Sequence, residues 1–219
     1  MPSKALQFFE KKLLTDVDRL IETHESLSGG RQGRHHLGHI TRSGFVMLCA
    51  AWESYTELVA EEALAKMLKF SDGPKCLPKP IQKKIANTLR ERKNPMLVLD
   101  LAGDGWKKLA MDIAKLQIGL LHTPKPNQLE DLFKNVVGID SVWDSWNSSL
   151  INEIKDFVTQ RGDIAHKGSD AQYVKINHLK KHREIIPGIA VALDNQIADH
   201  IRDHFPKPHA APWRRRKVI

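Results

Sequence analysis

The sequence is poor in several features at once, and each absence narrows the field. There are two cysteines, Cys49 and Cys76, in 219 residues. That leaves no disulfide framework and no cysteine-based zinc site. Neither GxxxxGK[ST] nor GxGxxG occurs, so no glycine-rich phosphate loop of either kind is present. The longest strictly apolar run, Phe45–Trp52, is eight residues, far below the ~20 of a membrane span. The opening MPSKALQFFEKKLL turns charged within a few residues and has no signal-peptide core. The expectation is a soluble, cytoplasmic chain without a membrane partner. No repeat of fixed period occurs, and no run alternates apolar and polar residues as a half-buried strand does.

What the sequence does have is helical periodicity and an uneven basic excess. With 41% hydrophobic and 27% charged residues it can bury a core, and its length suits one domain with an appendage. The formal charge is +8, but residues 206–219 contribute +5 through Lys207, Arg214, Arg215, Arg216 and Lys217. The other 205 residues therefore carry only +3.

Leu6, Phe9, Leu13, Val17 and Leu20 recur every three to four residues, which predicts an amphipathic helix over 4–26. A basic, glycine-rich loop (28–38) follows. The most apolar segment, 39–70, carries Phe45, Leu48, Trp52, Tyr55, Val59, Ala63 and Met67 on one stripe and should be central. Shorter helices are expected over 80–92, from Pro95 to Leu101 with Asn94 as cap, over 106–121, and over 128–136 with Asn127 as cap. A turn region spans 138–147. Residues 148–160 read as a helix, 161–170 as a polar break, and 177–205 as a long helix capped by Asn177 and kinked at Pro187. The fold class is all-α: a helical bundle around a long central helix, with short helical insertions and an extended or mobile basic C-terminal tail. The expected division is 1–38 as N-terminal helix and loop, 39–205 as the helical domain, and 206–219 as the tail.

The sharpest local feature is QRGDIAHKG, residues 160–168. Arg161 and His166 are five apart, which on a straight helix is 500°, or a net 140°. Gly162 and Gly168 make a break easy, and a break would let both side chains face one site. The pair suits phosphodiester chemistry. Arginine supplies a permanent charge and a planar fork for phosphate oxygens. Histidine exchanges protons near neutral pH. The plainer reading is a helix C-terminus whose Arg161, His166 and Lys167 complement the macrodipole.

The segment RGDIAHKG, set between an amphipathic helix and a long terminal helix, resembles the HEPN superfamily, whose signature is R-x(4–6)-H. The long helix around Trp52-Glu53 is similar to the core helix of these proteins. QLEDLFKNVVGID, 128–140, is similar to the RiboL-PSP-HEPN subgroup. The resemblance implies a small all-α homodimer in which two motifs meet in a cleft at the interface, and a metal-independent endoribonuclease of toxin–antitoxin or antiphage-defence systems. RNA would be the substrate, with an antitoxin or defence protein as a further partner and no cofactor. Carried onto this chain, the resemblance implies that His166 moves protons and that Arg161 stabilises charge on the phosphorane. The position after the arginine, usually polar, is Gly162 here, with Asp163 one place on. Asp163 and Glu53 are candidate orienting carboxylates. The alternative, favoured by Gly162, is a catalytically inactive HEPN-like module that binds RNA or protein or dimerises.

Basic clusters occur at Arg31–Arg42, Lys83–Lys93, Lys175–Arg183 and Arg214–Lys217. The first and third could line an RNA groove, so Arg42, Lys167, Lys175, His178 and Lys181 are the expected RNA contacts. Trp213, beside three arginines, could stack a base. Three histidine pairs have i, i+4 spacing: His35/His39, His178/His182 and His200/His204. None sits in an HExxH pattern, and no metal site is expected among them.

Overall fold

The computed structural model describes residues 1–29, 36–91, 95–144, 146–171, 174–205 and 211–217. Among them every regular element is helical. The chain opens with α1 (Lys4–Phe8), whose N-cap Ser3 accepts a hydrogen bond from Leu6 N at 3.0 Å. A wide turn, Phe9–Leu13, leads into α2 (Thr15–Ser28). The wide turn adjusts the predicted 4–26 helix for a physical reason. Phe9 and Leu14 are both fully buried, yet they are five residues apart, 140° on an α-helix. Closing the turn with Leu14 N donating to Phe9 O at 3.1 Å takes up one extra residue and keeps both rows on the core side.

The expected central helix is present as α3 (Gly38–Phe70). It is buried along most of its length and touches α1, α2 and four later helices. Next come α4 (Lys79–Glu91), α5 (Gly105–Ile118) and α6 (Pro126–Val136). Proline occupies the first turn of α6 and Lys125 is its cap, so Asn127 lies inside the helix rather than capping it. The missing N–H of Pro126 costs nothing at that position. Pro95–Leu101 forms a 3₁₀ segment, and its expected cap, Asn94, lies outside the described residues. The turn region before α7 is tied to the last helix: Trp146 Nε1 donates to Gln196 Oε1 at 2.7 Å, and Gln196 Nε2 donates to Val142 O at 2.9 Å.

Two helices complete the bundle, α7 (Ser148–Lys167) and α8 (Ile176–His204). Asn147 caps α7, accepting from Ser149 N at 2.9 Å. Lys175 is the N-cap residue of α8 in place of the expected Asn177, and Pro187 lies inside α8. The expected break at 161–170 is displaced. α7 runs unbroken through Gly162 and stops at Gly168, where φ is +55°. A glycine inside a helix costs about 1 kcal/mol, less than is recovered by seating Ile164 in the core two residues later. The positive φ at Gly168, which glycine adopts without strain, is what ends the helix.

The tail also differs from expectation. Residues 211–217 are extended but docked. Trp213 is buried and donates from Nε1 to Asp194 O at 3.1 Å. Asn195 exchanges two hydrogen bonds with the backbone of Arg216, at 2.7 and 2.8 Å. Arg214 N donates to Met1 O at 2.9 Å, and the Arg216 guanidinium holds Glu10. A buried indole has no face left for a base, so Trp213 is a structural anchor rather than a stacking platform.

Candidate active site

α7 is locked onto α3 and α8 by an aromatic cluster. The rings of Phe45, Phe157 and His182 lie 5.0–5.3 Å apart, one from each helix. Burial pushes the His182 imidazole below its ordinary pKa, although Glu153 acts the other way. At Gly44 a side chain would meet Leu179 Cδ2 at 2.5 Å, so α3 and α8 approach as closely as they do because that position is glycine.

This clamp sets the direction of Arg161. It follows Ile154, Phe157 and Val158 by seven, four and three residues, and precedes Ile164 by three, all of them buried. That spacing puts Arg161 in the middle of the buried stripe of α7. Its Nε is shielded from solvent and has no hydrogen-bond partner. Its charge acts on two residues of α3, Cys49 and Glu53. Burial pushes the Cys49 thiol up to about 12 despite the arginine, so Cys49 is an inert packing residue. Burial also raises the Glu53 carboxyl, while Arg161 and His122 pull it back. Arg161 and Glu53 thus lie within electrostatic reach of each other, without a hydrogen bond or ion pair between them.

His166 is not part of that group. It lies in the last turn of α7, exposed to solvent, 140° around the helix from Arg161. The expected meeting of the two side chains across a helix break does not occur within one chain, because the helix is continuous. Asp163 forms an ion pair with Lys167 at 2.7 Å. It lines a cleft of about 420 Å³ with Asp156, Gln160 and the exposed His178. Lys181 pairs with Glu153 at 2.8 Å. Lys175 is exposed at the start of α8. Arg42 is half-buried near the start of α3, seven residues before Cys49 and on the same stripe of that helix.

Two members of the group escaped the sequence reading. Glu57 stands one turn beyond Glu53, and its carboxyl is also raised, by burial first and by Glu53 second. His122, in the loop after α5, acts electrostatically on both glutamates. That loop is pinned over α3 by Trp52 Nε1 donating to Pro124 O at 3.4 Å. The i, i+4 spacing of Glu53 and Glu57 was a usable signal. Nothing local marks His122.

The histidine pairs have other occupations. His200 Nε2 and His204 Nε2 donate to Val137 O and Cys76 O at 3.2 and 2.8 Å. His182 is in the aromatic cluster, and His35 lies outside the described residues. Among the described residues no group of three or more His, Cys, Asp or Glu could hold a metal ion, and no helix is long and apolar enough to cross a membrane.

The comparisons with known proteins complete the picture. The RiboL-PSP-HEPN family model matches residues 8–199, from the last residue of α1 to near the end of α8. No curated protein and no solved structure matches significantly.

Proposed function

The chain belongs to the RiboL-PSP-HEPN family, and from that premise we propose that it is a metal-independent endoribonuclease acting as a toxin or antiphage effector. The observation that carries this reading is the environment of Arg161. A guanidinium in the middle of a buried stripe, with an unpartnered Nε and beside a half-buried glutamate, is an expensive arrangement for packing alone. It is a good one for receiving a phosphate.

RNA brings its own nucleophile. The 2′-oxygen attacks the adjacent phosphorus, an O2′–P bond forms and the P–O5′ bond breaks. The 2′-hydroxyl gives up its proton and the 5′-oxygen takes one, leaving a 2′,3′-cyclic phosphate and a 5′-hydroxyl. Arg161 stabilises the charge that develops on the non-bridging oxygens. His166 moves a proton. Glu53, with Glu57 one turn on, supplies negative charge within electrostatic reach of the arginine.

Because Arg161 and His166 diverge on one helix, the reading requires a second copy of the chain to supply the missing partner. One face of α3 supports this. Met47, Ala50, Ser54 and Leu58 share it, and Met47 and Leu58 remain 38% and 36% exposed. A two-fold contact there would also divide the acid and base tasks between two histidines. The same divergence favours the second reading, a non-catalytic module that binds RNA or dimerises.

The deciding experiment incubates purified protein with bulk RNA in EDTA and identifies the new ends. Cyclic-phosphate ends that disappear in a folded, dimeric His166→Ala variant support the nuclease. Wild-type protein that leaves RNA intact, or full activity in His166→Ala, overturns it.

A further inference from the structure

The basic clusters near the motif are largely neutralised in the fold. Lys167 pairs with Asp163, Lys180 with Glu25, Lys181 with Glu153 and Arg183 with Asp18. In the tail, Arg215 and Arg216 pair with Asp199 and Glu10. A cation already facing a carboxylate releases little on meeting a phosphate.

One cluster is different. Between α4 and α6 lies a cleft of about 530 Å³ lined by Lys79, Lys83, Lys84, Asn87, Lys134 and Asp140. Lys134 reaches Asp140 at 3.5 Å. Among the described residues, Lys79, Lys83 and Lys84 have no carboxylate at ion-pair distance. Lys79 and Lys83 are exposed, and Lys79, Lys83 and Asn87 follow one another at i, i+4, i+8. They form a row along α4 that spans about 12 Å.

From this we infer that the α4–α6 cleft is a binding site for the sugar–phosphate backbone of the RNA, separate from the motif helix. The inference rests on the reading of RNA as substrate. The row is too long for a single phosphate and suits a chain of repeated negative charges. Lysine and asparagine are typical contacts to phosphate and sugar. No large apolar side chain lines the cleft, so it lacks the buried anchor on which a protein partner would depend. α6 packs against both α4 and α7 and stands between the cleft and Arg161. The cleft therefore holds the RNA at a distance from the scissile bond and reads no sequence.

The test measures binding of a short labelled single-stranded RNA to the full chain carrying His166→Ala, by fluorescence anisotropy over a salt series. Adding Lys79→Ala and Lys83→Ala should lower the slope of log K against log[salt] by about 1.4, and cut affinity at about 0.1 M salt by more than tenfold. The matched control, Lys107→Ala with Lys115→Ala, removes two cations that face Asp104 and Glu61 and should leave the slope nearly unchanged. Far-UV circular dichroism confirms that both variants stay helical. An unchanged slope in the Lys79/Lys83 variant overturns the cleft, whether or not the wild-type chain cuts RNA. So does an equal loss in the control, which would mean that only total charge matters. Displacement of the RNA by polyglutamate as readily as by unlabelled RNA would assign the cleft to an acidic protein instead.

Discussion

The start of α8 and the face of α4 look alike in sequence, since each is a run of lysine and arginine over a turn or two. In the fold they are opposites. At the start of α8, Lys180, Lys181 and Arg183 reach across to Glu25, Glu153 and Asp18, and so fasten α8 to α2 and α7. On α4, Lys79 and Lys83 are exposed and Lys84 half-exposed along an open cleft. The tail belongs with the first group, because Trp213 and the salt bridges of Arg215 and Arg216 anchor it. Arg161 is a third case, a half-buried cation whose Nε is shielded from solvent and unpartnered. The comparison teaches that a count of positive charge says little about nucleic-acid binding. What matters is whether the fold has already given each charge a partner.

That contrast can be broken at several points. The largest effect should come at the motif, where His166→Ala removes an exposed side chain. RNA cleavage should fall by roughly 10²–10⁴-fold with no change in unfolding midpoint. A single-turnover assay and a denaturant titration on the same preparation check both halves.

Next is the tail. Trp213→Ala should cost about 3–5 kcal/mol of stability. If the tail were only an RNA-binding arm, chemical denaturation of this variant would match wild type.

The Asp194 carboxyl, to which Ser3 donates from both N and Oγ, offers a test in pH. Burial pushes its pKa up to about 6 from 3.8, with Glu62 adding and the Ser3 hydrogen bonds opposing. The folded chain thus holds this proton more tightly than the unfolded chain. Stability from this group is present at acid pH, falls as pH rises from about 4 to about 6, and is level above that. Asp194→Asn keeps an acceptor for Ser3 and removes the loss. Its stability relative to wild type should grow by up to about 3 kcal/mol across that window and then stay constant. A gap that does not vary with pH would contradict the assignment.

Arg183→Ala probes the paired group directly. The guanidinium grips Asp18 through two bonds, at 2.7 and 2.9 Å, and is partly exposed. Its loss should cost about 1 kcal/mol of folding stability and leave the salt dependence of RNA binding unchanged. The smallest effect is expected at Gly162. A Cβ there meets nothing within 4 Å, so Gly162→Ala should stabilise the chain by about 0.5–1 kcal/mol, seen as a modest rise in melting temperature.

Much of this architecture was legible beforehand. The all-α class, the central helix and the approximate limits of most other helices follow from apolar residues recurring every three to four positions. Cap positions were less legible. Asn127 and Asn177 are good capping residues, yet Lys125 and Lys175 hold the cap positions. At the candidate site, Arg161 and Glu53 could be named from the motif and the core helix. Glu57 and His122 could not be joined to them, because the loop carrying His122 is brought over α3 by a hydrogen bond from Trp52 to Pro124, 72 residues away in sequence.

Helix type and the R-x₄-H motif are local properties, so the sequence by itself determined them, together with the family they signal. Three things only the tertiary structure decided. α7 continues through Gly162 because Ile164 must reach the core, which sends Arg161 inward and His166 outward. The tail is held down because its indole finds a seat on α8. Lys79 and Lys83 of α4 stay exposed without an ion pair because the carboxylate of their cleft, Asp140, is taken by Lys134. Each depends on which distant residue lies opposite, and charge pairing and burial are properties of contacts rather than of residues.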